Sequence, residues 1–158
     1  MPCCSISGSR ALTAIRSRAS CASGRSCGRW CPSFSGRPGR HGLCGDPWNG
    51  PKHHEAGGKY ATPPRLAAVY RSGQTFLAGV KLTANHRGRW SLRLCPVPGA
   101  GSAAAEKRAL TRGCLDKHLL RRADGRGPFT QVPGHVSTFA VRYRLPKGVR
   151  CERCVLQW

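Results

Sequence analysis

The sequence predicts an all-β protein, an antiparallel β-sandwich with long disulfide-linked loops, and three observations carry that expectation. Gly 20 and Pro 12 in 158 residues, with aromatic content of 7%, favour short strands joined by many turns over long helices. Apolar and polar residues alternate at period two in three separate segments. Ten cysteines at irregular spacing read as a disulfide framework and not as a repeated metal cage.

The elements follow in order from Leu43, where the composition changes character. The run Gly42-Leu43-Cys44-Gly45-Asp46-Pro47-Trp48-Asn49-Gly50-Pro51 is dense in turn formers and predicts a structured loop pinned by a disulfide. Arg65 to Arg71, bounded by Pro63-Pro64 and Ser72-Gly73, is a first strand. Thr75 to Ala84 is a second, with Phe76, Ala78, Val80 and Leu82 on one face and Lys81 and Thr83 on the other. Gly88 to Cys95 repeats the pattern, Trp90, Leu92 and Leu94 inward and Ser91 and Arg93 outward. Ala103 to Leu110 has the residues for a short helix inside a Pro/Gly/Ala-rich connection, and Arg121 to Pro133 is loop. Val136 to Leu145 alternates again, placing Phe139, Val141, Tyr143 and Leu145 inside. The last residues, Cys154-Val155-Leu156-Gln157-Trp158, look like a strand cut off as it begins, which would leave an apolar sheet edge exposed; the expectation is a truncated sandwich.

Length allows one domain. Residues 1–41 differ from the rest: residues 1–40 hold seven arginines, five cysteines and no acid, and cannot bury much apolar surface. They are expected to form a disordered or mismatched basic extension to a domain at 42–158. Cys21, Cys27 and Cys31 could be zinc ligands, but His41 stands at no finger spacing from them. Heavy cysteine usage points to an oxidising, extracellular setting, although Met1 to Ser20 contains no apolar core of an export signal. No stretch approaches the roughly 20 apolar residues needed to span a bilayer.

Lys+Arg 27 against Asp+Glu 6 gives a formal charge of +21. Such a chain is drawn to polyanions without specificity, and a basic nucleic-acid-associated protein is one reading. The arginines are nevertheless scattered among Gly, Ala, Pro and Ser, with no aromatic-interleaved basic stripe.

Six blocks in a fixed order carry a more specific signal. They are Cys44-Gly45-Asp46-Pro47-Trp48-Asn49-Gly50-Pro51, Glu55-Ala56-Gly57-Gly58-Lys59-Tyr60-Ala61, Leu82-Thr83-Ala84-Asn85-His86-Arg87-Gly88, Leu94-Cys95-Pro96, Cys114-Leu115-Asp116-Lys117, and Cys151-Glu152-Arg153-Cys154-Val155-Leu156-Gln157-Trp158. Over residues 42–158 this series resembles the animal lytic polysaccharide monooxygenases with a chitin-binding type-4 domain. The resemblance implies a secreted, monomeric, immunoglobulin-like β-sandwich that binds crystalline chitin or a related polysaccharide and cleaves it oxidatively with one copper ion.

In that family copper sits in a brace made from the amino group and imidazole of an N-terminal histidine plus a second histidine. Three nitrogens with open positions suit copper. His86 matches the second histidine, and the short Asn85-His86-Arg87-Gly88 connection between two alternating strands is where a side chain can face outward. Nothing matches the first: the chain starts Met1-Pro2, and His41 lies directly beside the Cys44 block, where relatives carry a cysteine. The axial aromatic residue falls beyond Trp158. The expectation is a polysaccharide-binding domain with an incomplete copper site, its alternative a non-catalytic chitin-binding module.

Other candidates have plainer readings. His53-His54-Glu55 could be a metal cluster, but adjacent side chains in an extended segment point opposite ways. Asp46 and Glu55 could be the paired acids of a glycosidase; in a Pro/Gly-rich loop they are expected to accept from backbone and arginine donors, as are Asp116 and Asp124. Cys95 and Cys114 flank one loop and are expected to pair, whereas Cys151 and Cys154, despite their Cys-x-x-Cys spacing, are each expected to pair elsewhere.

Overall fold

The computed structural model describes residues 4–7, 15–16, 42–44, 46–47, 49–60, 66–82, 84–98 and 102–158. Ten strands and two short helices are found among them: β1 (Cys4–Ser7), β2 (Ile15–Arg16), β3 (Leu66–Val69), β4 (Thr75–Lys81), β5 (Arg89–Trp90), β6 (Arg93–Val97), α1 (Ala103–Ala109), α2 (Arg112–Lys117), β7 (Arg121–Arg122), β8 (Thr130–Gln131), β9 (Thr138–Arg144) and β10 (Arg153–Gln157). One four-stranded sheet runs β3-β1-β10-β6, a second runs β2-β4-β9-β7, and β5 pairs with β8 as a two-stranded ribbon.

The longest pairing joins β4 to β9, antiparallel from Thr75↔Arg144 to Lys81↔Thr138. Its period-two pattern explains the burial: Phe76, Ala78 and Val80 of β4 and Tyr143 of β9 enter the core, with Phe139 and Val141 packed against it. Residues of the other sheet, Ala68, Leu94, Cys154 and Leu156, belong to the same apolar cluster. Tyr143 is fully buried. Its ring lies 5.6 Å from Trp90 and 6.4 Å from Phe76, and its hydroxyl shares a 2.8 Å hydrogen bond with Thr130 Oγ1. Burial pushes the Tyr143 phenol above its ordinary value, outweighing the Thr130 bond, so the hydroxyl stays neutral and can donate.

A second cluster gathers Cys44, Cys95, Val97, Leu110, Leu115 and Val155 on the other face of the β10/β6 pair. Both helices begin on a hydroxyl cap: Ser102 accepts from Ala105 N at 3.3 Å and Thr111 from Cys114 N at 3.1 Å. Glu106 of α1 makes a 2.7 Å ion pair with Arg153 of β10, with side-chain exposures of 5% and 7%.

Several expectations are corrected here. The sheets are not purely antiparallel, since β1 pairs with β3 and β2 with β4 in parallel. The expected Gly88–Cys95 strand is broken at Ser91-Leu92, because Trp90 pairs with Thr130 whereas Leu94 pairs with Leu156. β10 is no exposed edge, being flanked by β6 and β1. That position accounts for four consecutive buried residues, Arg153 to Leu156, facing both clusters. β7 and β8 form within Arg121 to Pro133, where loop was expected, and α2 is a helix that the sequence does not predict. Within 1–41, read as a disordered or mismatched extension, the backbones of Cys4–Ser7 and Ile15–Arg16 are paired into the sheets. Cys21, Cys27, Cys31 and His41 lie outside the described residues.

The buried ion pair generates a stability prediction. Glu106→Ala strands the Arg153 guanidinium and is expected to destabilise the fold by about 3–5 kcal/mol in urea unfolding. The double variant Glu106→Leu/Arg153→Met should recover most of that loss; equal destabilisation by both would contradict the pairing.

Candidate functional site

His86 stands at the far end of the β4/β9 pair. Leu82 N still donates to Ser137 O at 2.7 Å, after which the chain leaves the sheet. Asn85 holds the exit: its Nδ2 donates to Pro133 O at 2.7 Å and also to Val136 O, and its Oδ1 accepts from Arg87 N at 2.7 Å. This Asx-type turn is what an Asn two residues before a reversal supplies. Arg87 has φ of 60°, the one non-glycine positive φ among the described residues, and Gly88 follows at 100°. The backbone returns through Val132 N to Gly88 O at 2.9 Å, and Trp90, 7% exposed, anchors the far side. His86, between the clasp and the strained residue, is exposed. The opposing segment, which these hydrogen bonds tie to the His86 loop, carries a second exposed histidine, His135, which the sequence does not single out; the two loops also approach closely where a Cβ on Gly134 would stand 3.0 Å from Arg87 Nε.

The turn-rich segment before β3 forms a separate polar cluster. Asp46, with a side chain 3% exposed, accepts from His54 N at 2.9 Å and contacts His54 Nδ1 at 2.7 Å. Burial pushes the Asp46 carboxyl up, but the hydrogen bonds and charge of His54 outweigh it and hold it below its ordinary value. Glu55 Oε1 accepts from Leu43 N at 3.1 Å. These acids are thus occupied in holding the loop, although Asp46 is held by histidine and not by the expected arginine. Tyr60, 64% exposed, lies against both His54 (ring centroids 5.0 Å) and His53 (5.8 Å). Gly58 is required here, since a Cβ would collide with the carbonyl oxygens of Lys52 and His53.

The remaining candidates resolve as follows. Asp116 pairs with Arg93 Nε at 3.1 Å, and Asp124 accepts from Arg122 Nε at 3.2 Å. Cys95 and Cys114 are bonded, with Cα atoms 5.4 Å apart, and Cys44 is also in a disulfide. Cys151 and Cys154 were expected to pair elsewhere, but they are bonded to each other: the turn entering β10 brings their Cα atoms to 5.9 Å, within disulfide reach. Among the described residues no three of His, Cys, Asp and Glu come together as a metal-holding group. The described donors therefore do not by themselves fit a copper ion, and His86 stands as a single exposed imidazole. No helix of the described residues is long and apolar enough to cross a membrane.

This geometry defines a β-rich domain that presents one histidine from a clasped interstrand loop. The family model described as lytic polysaccharide mono-oxygenase, cellulose-degrading, matches residues 14–158. Among solved structures, a lytic polysaccharide monooxygenase AA15 from Thermobia domestica in the Cu(I) state is similar at 34% identity and a TM-score of 0.64, over 73% of this chain and 57% of that one. The chain thus spans a little over half the length of that relative. Comparison with curated proteins gives no match. The chain belongs to the lytic polysaccharide monooxygenase family.

Two predictions follow from the loops. Asn85→Ala removes three hydrogen bonds around His86 and is expected to cost about 1–3 kcal/mol, with amide exchange accelerated at 84–88 and 133–136 and unchanged in β10; uniform acceleration would contradict a local clasp. Asp46, whose carboxyl is depressed in the fold, contributes stability above its unfolded pKa that is lost as pH falls through the folded value. Asp46→Asn should flatten that acid limb of the stability profile below about pH 4; an unchanged limb would show that other carboxylates set it.

Proposed function

We propose that the chain is a secreted, monomeric polysaccharide-binding domain directed at chitin, its two four-stranded sheets packed as an immunoglobulin-like sandwich. In this reading His86 supplies one imidazole nitrogen to a copper site whose other donors would come from outside the described residues. The observation that carries it is the place of His86: exposed, on a connection clasped by Asn85, next to the one non-glycine residue of positive φ among the described residues, in a chain of this family. Backbone strain beside a functional group fits a site where geometry is over-determined by its surroundings. Disulfides support an oxidising compartment. Chitin is preferred to cellulose on the six sequence blocks, although the matching family model is described as cellulose-degrading.

Copper, where bound, would supply oxidative cleavage of the glycosidic bond; the residues described here account for holding and aiming one ligand. The test combines two measurements on the full chain. Calorimetric Cu(II) titration is expected to show a site that His86→Ala weakens about tenfold or more, while His54→Ala, remote in the Asp46 cluster, leaves it unchanged. Depletion by insoluble chitin should persist in 1 M salt, where screening reduces the Debye length to about 3 Å. Copper binding indifferent to His86 with retained chitin adsorption would favour a non-catalytic module. Adsorption that vanishes in salt would favour the purely charge-driven reading.

A further inference from the structure

The outer face of the β2-β4-β9-β7 sheet carries an arrangement that the histidine loop does not use. Alternation along β9 turns Arg142 and Arg144 outward, and both are exposed. In register beside them, Arg121 of β7 stands opposite Arg144, and exposed Leu77 of β4 opposite Arg142. Lys81 lies exposed at the end of the same β4 face, opposite Thr138. The centre is nearly flat, being the Gly79↔Ala140 pair.

A like-charged pair placed directly across two strands costs stability, and here no carboxylate side chain among the described residues pairs with it. All six acids of the chain stand elsewhere: Asp46 on His54, Glu55 on the Leu43 amide, Glu106 on Arg153, Asp116 on Arg93, Asp124 on Arg122, and Glu152 in the turn bridged by Cys151 and Cys154. Arg121, Arg142, Arg144 and Lys81 make no ion pair among the described residues. A regular pleat sets such groups on a grid, about 4.8 Å between strands and about 7 Å between alternate residues of one strand. Guanidinium groups held on that grid suit oxyanions with two parallel hydrogen bonds each.

We propose that this face binds a sulfated linear polysaccharide, its sulfate groups lying on Arg121, Arg142 and Arg144. The proposal is independent of copper and of His86. Two features favour a sulfated glycan over nucleic acid. Among the described residues the face carries no aromatic ring on which bases could stack, Leu77 being the one large apolar side chain among them. It is also a sheet with small residues at its centre, and no helix or ribbon of the described residues projects from it to enter a groove.

The experiment measures binding of a heparin-derived oligosaccharide to the full chain at several salt concentrations. It compares Arg121→Gln/Arg142→Gln/Arg144→Gln with Arg108→Gln/Arg112→Gln/Lys117→Gln, which removes the same charge from the helices. The sheet variant is expected to bind about tenfold or more weakly, with the slope of log affinity on log salt reduced by about one for each lost contact. The helix variant should lose less than about threefold, as expected for long-range charge alone. A single change, Leu77→Glu, sets a carboxylate amid the arginines and should weaken heparin comparably. Because the triple change relieves repulsion, its melting temperature should not fall. Equal losses in the two triple variants would overturn the proposal in favour of bulk charge. Duplex DNA binding as tightly as heparin, with the same dependence on the three arginines, would overturn it in favour of a nucleic-acid surface.

Discussion

The β4/β9 pairing is the constraint on which the rest of the molecule depends. Seven residues of each strand are matched, and the inner face is fixed by Tyr143, which has no exposed surface and a satisfied hydroxyl. A slip of one residue would send Tyr143, Phe76 and Val80 outward and bring Arg142, Arg144 and Leu77 into the core, a change of burial and desolvation no small domain could sustain. The same register therefore sets the two surfaces for which function is proposed. One end of the pair delivers the Asn85-His86-Arg87-Gly88 loop, and the outer face delivers the arginine grid.

Trp90 extends that constraint into the loop. Its ring packs on Tyr143 and at 6.4 Å on Phe139, so the chain leaving β4 must return over the same core within a few residues. The return explains why Arg87 tolerates a left-handed conformation: Asn85 ties the segment to the 133–136 stretch on one side, and Gly88 closes it onto Val132 on the other. His86 has little choice but to face solvent.

Much of this was legible in the sequence because alternation at period two is a one-dimensional signal. Phe76, Ala78, Val80, Leu94 and Tyr143 declare their face without any tertiary knowledge, and the turn formers around His86 mark an interstrand connection. Pairing partners are not written the same way. That β10 lies between β1 and β6, that Trp90 and Leu94 serve different sheets, and that Arg121 faces Arg144 across β7 and β9 are all products of long-range register. The Cys151–Cys154 bond was misjudged for a related reason: spacing gave the redox motif and its objection, but the turn that brings the two together is set by where β10 begins. The six-residue α2 contains Gly113 and too few residues for a helical period, so its Thr111 cap was its only local signal. His53 and His54 both meet Tyr60, and the buried Asp46 beneath His54 is a contact that adjacency in sequence does not reveal.

Metal is proposed to reach this domain at the end of the β4/β9 pair. Nuclear magnetic resonance with substoichiometric Cu(II) tests it most directly, because paramagnetic broadening reports on distance residue by residue. Broadening is expected first at the amides of 84–88 and then across the clasped 133–136 segment, with 52–60 still sharp. Broadening centred on His53 and His54 while the His86 loop stays sharp would contradict the account.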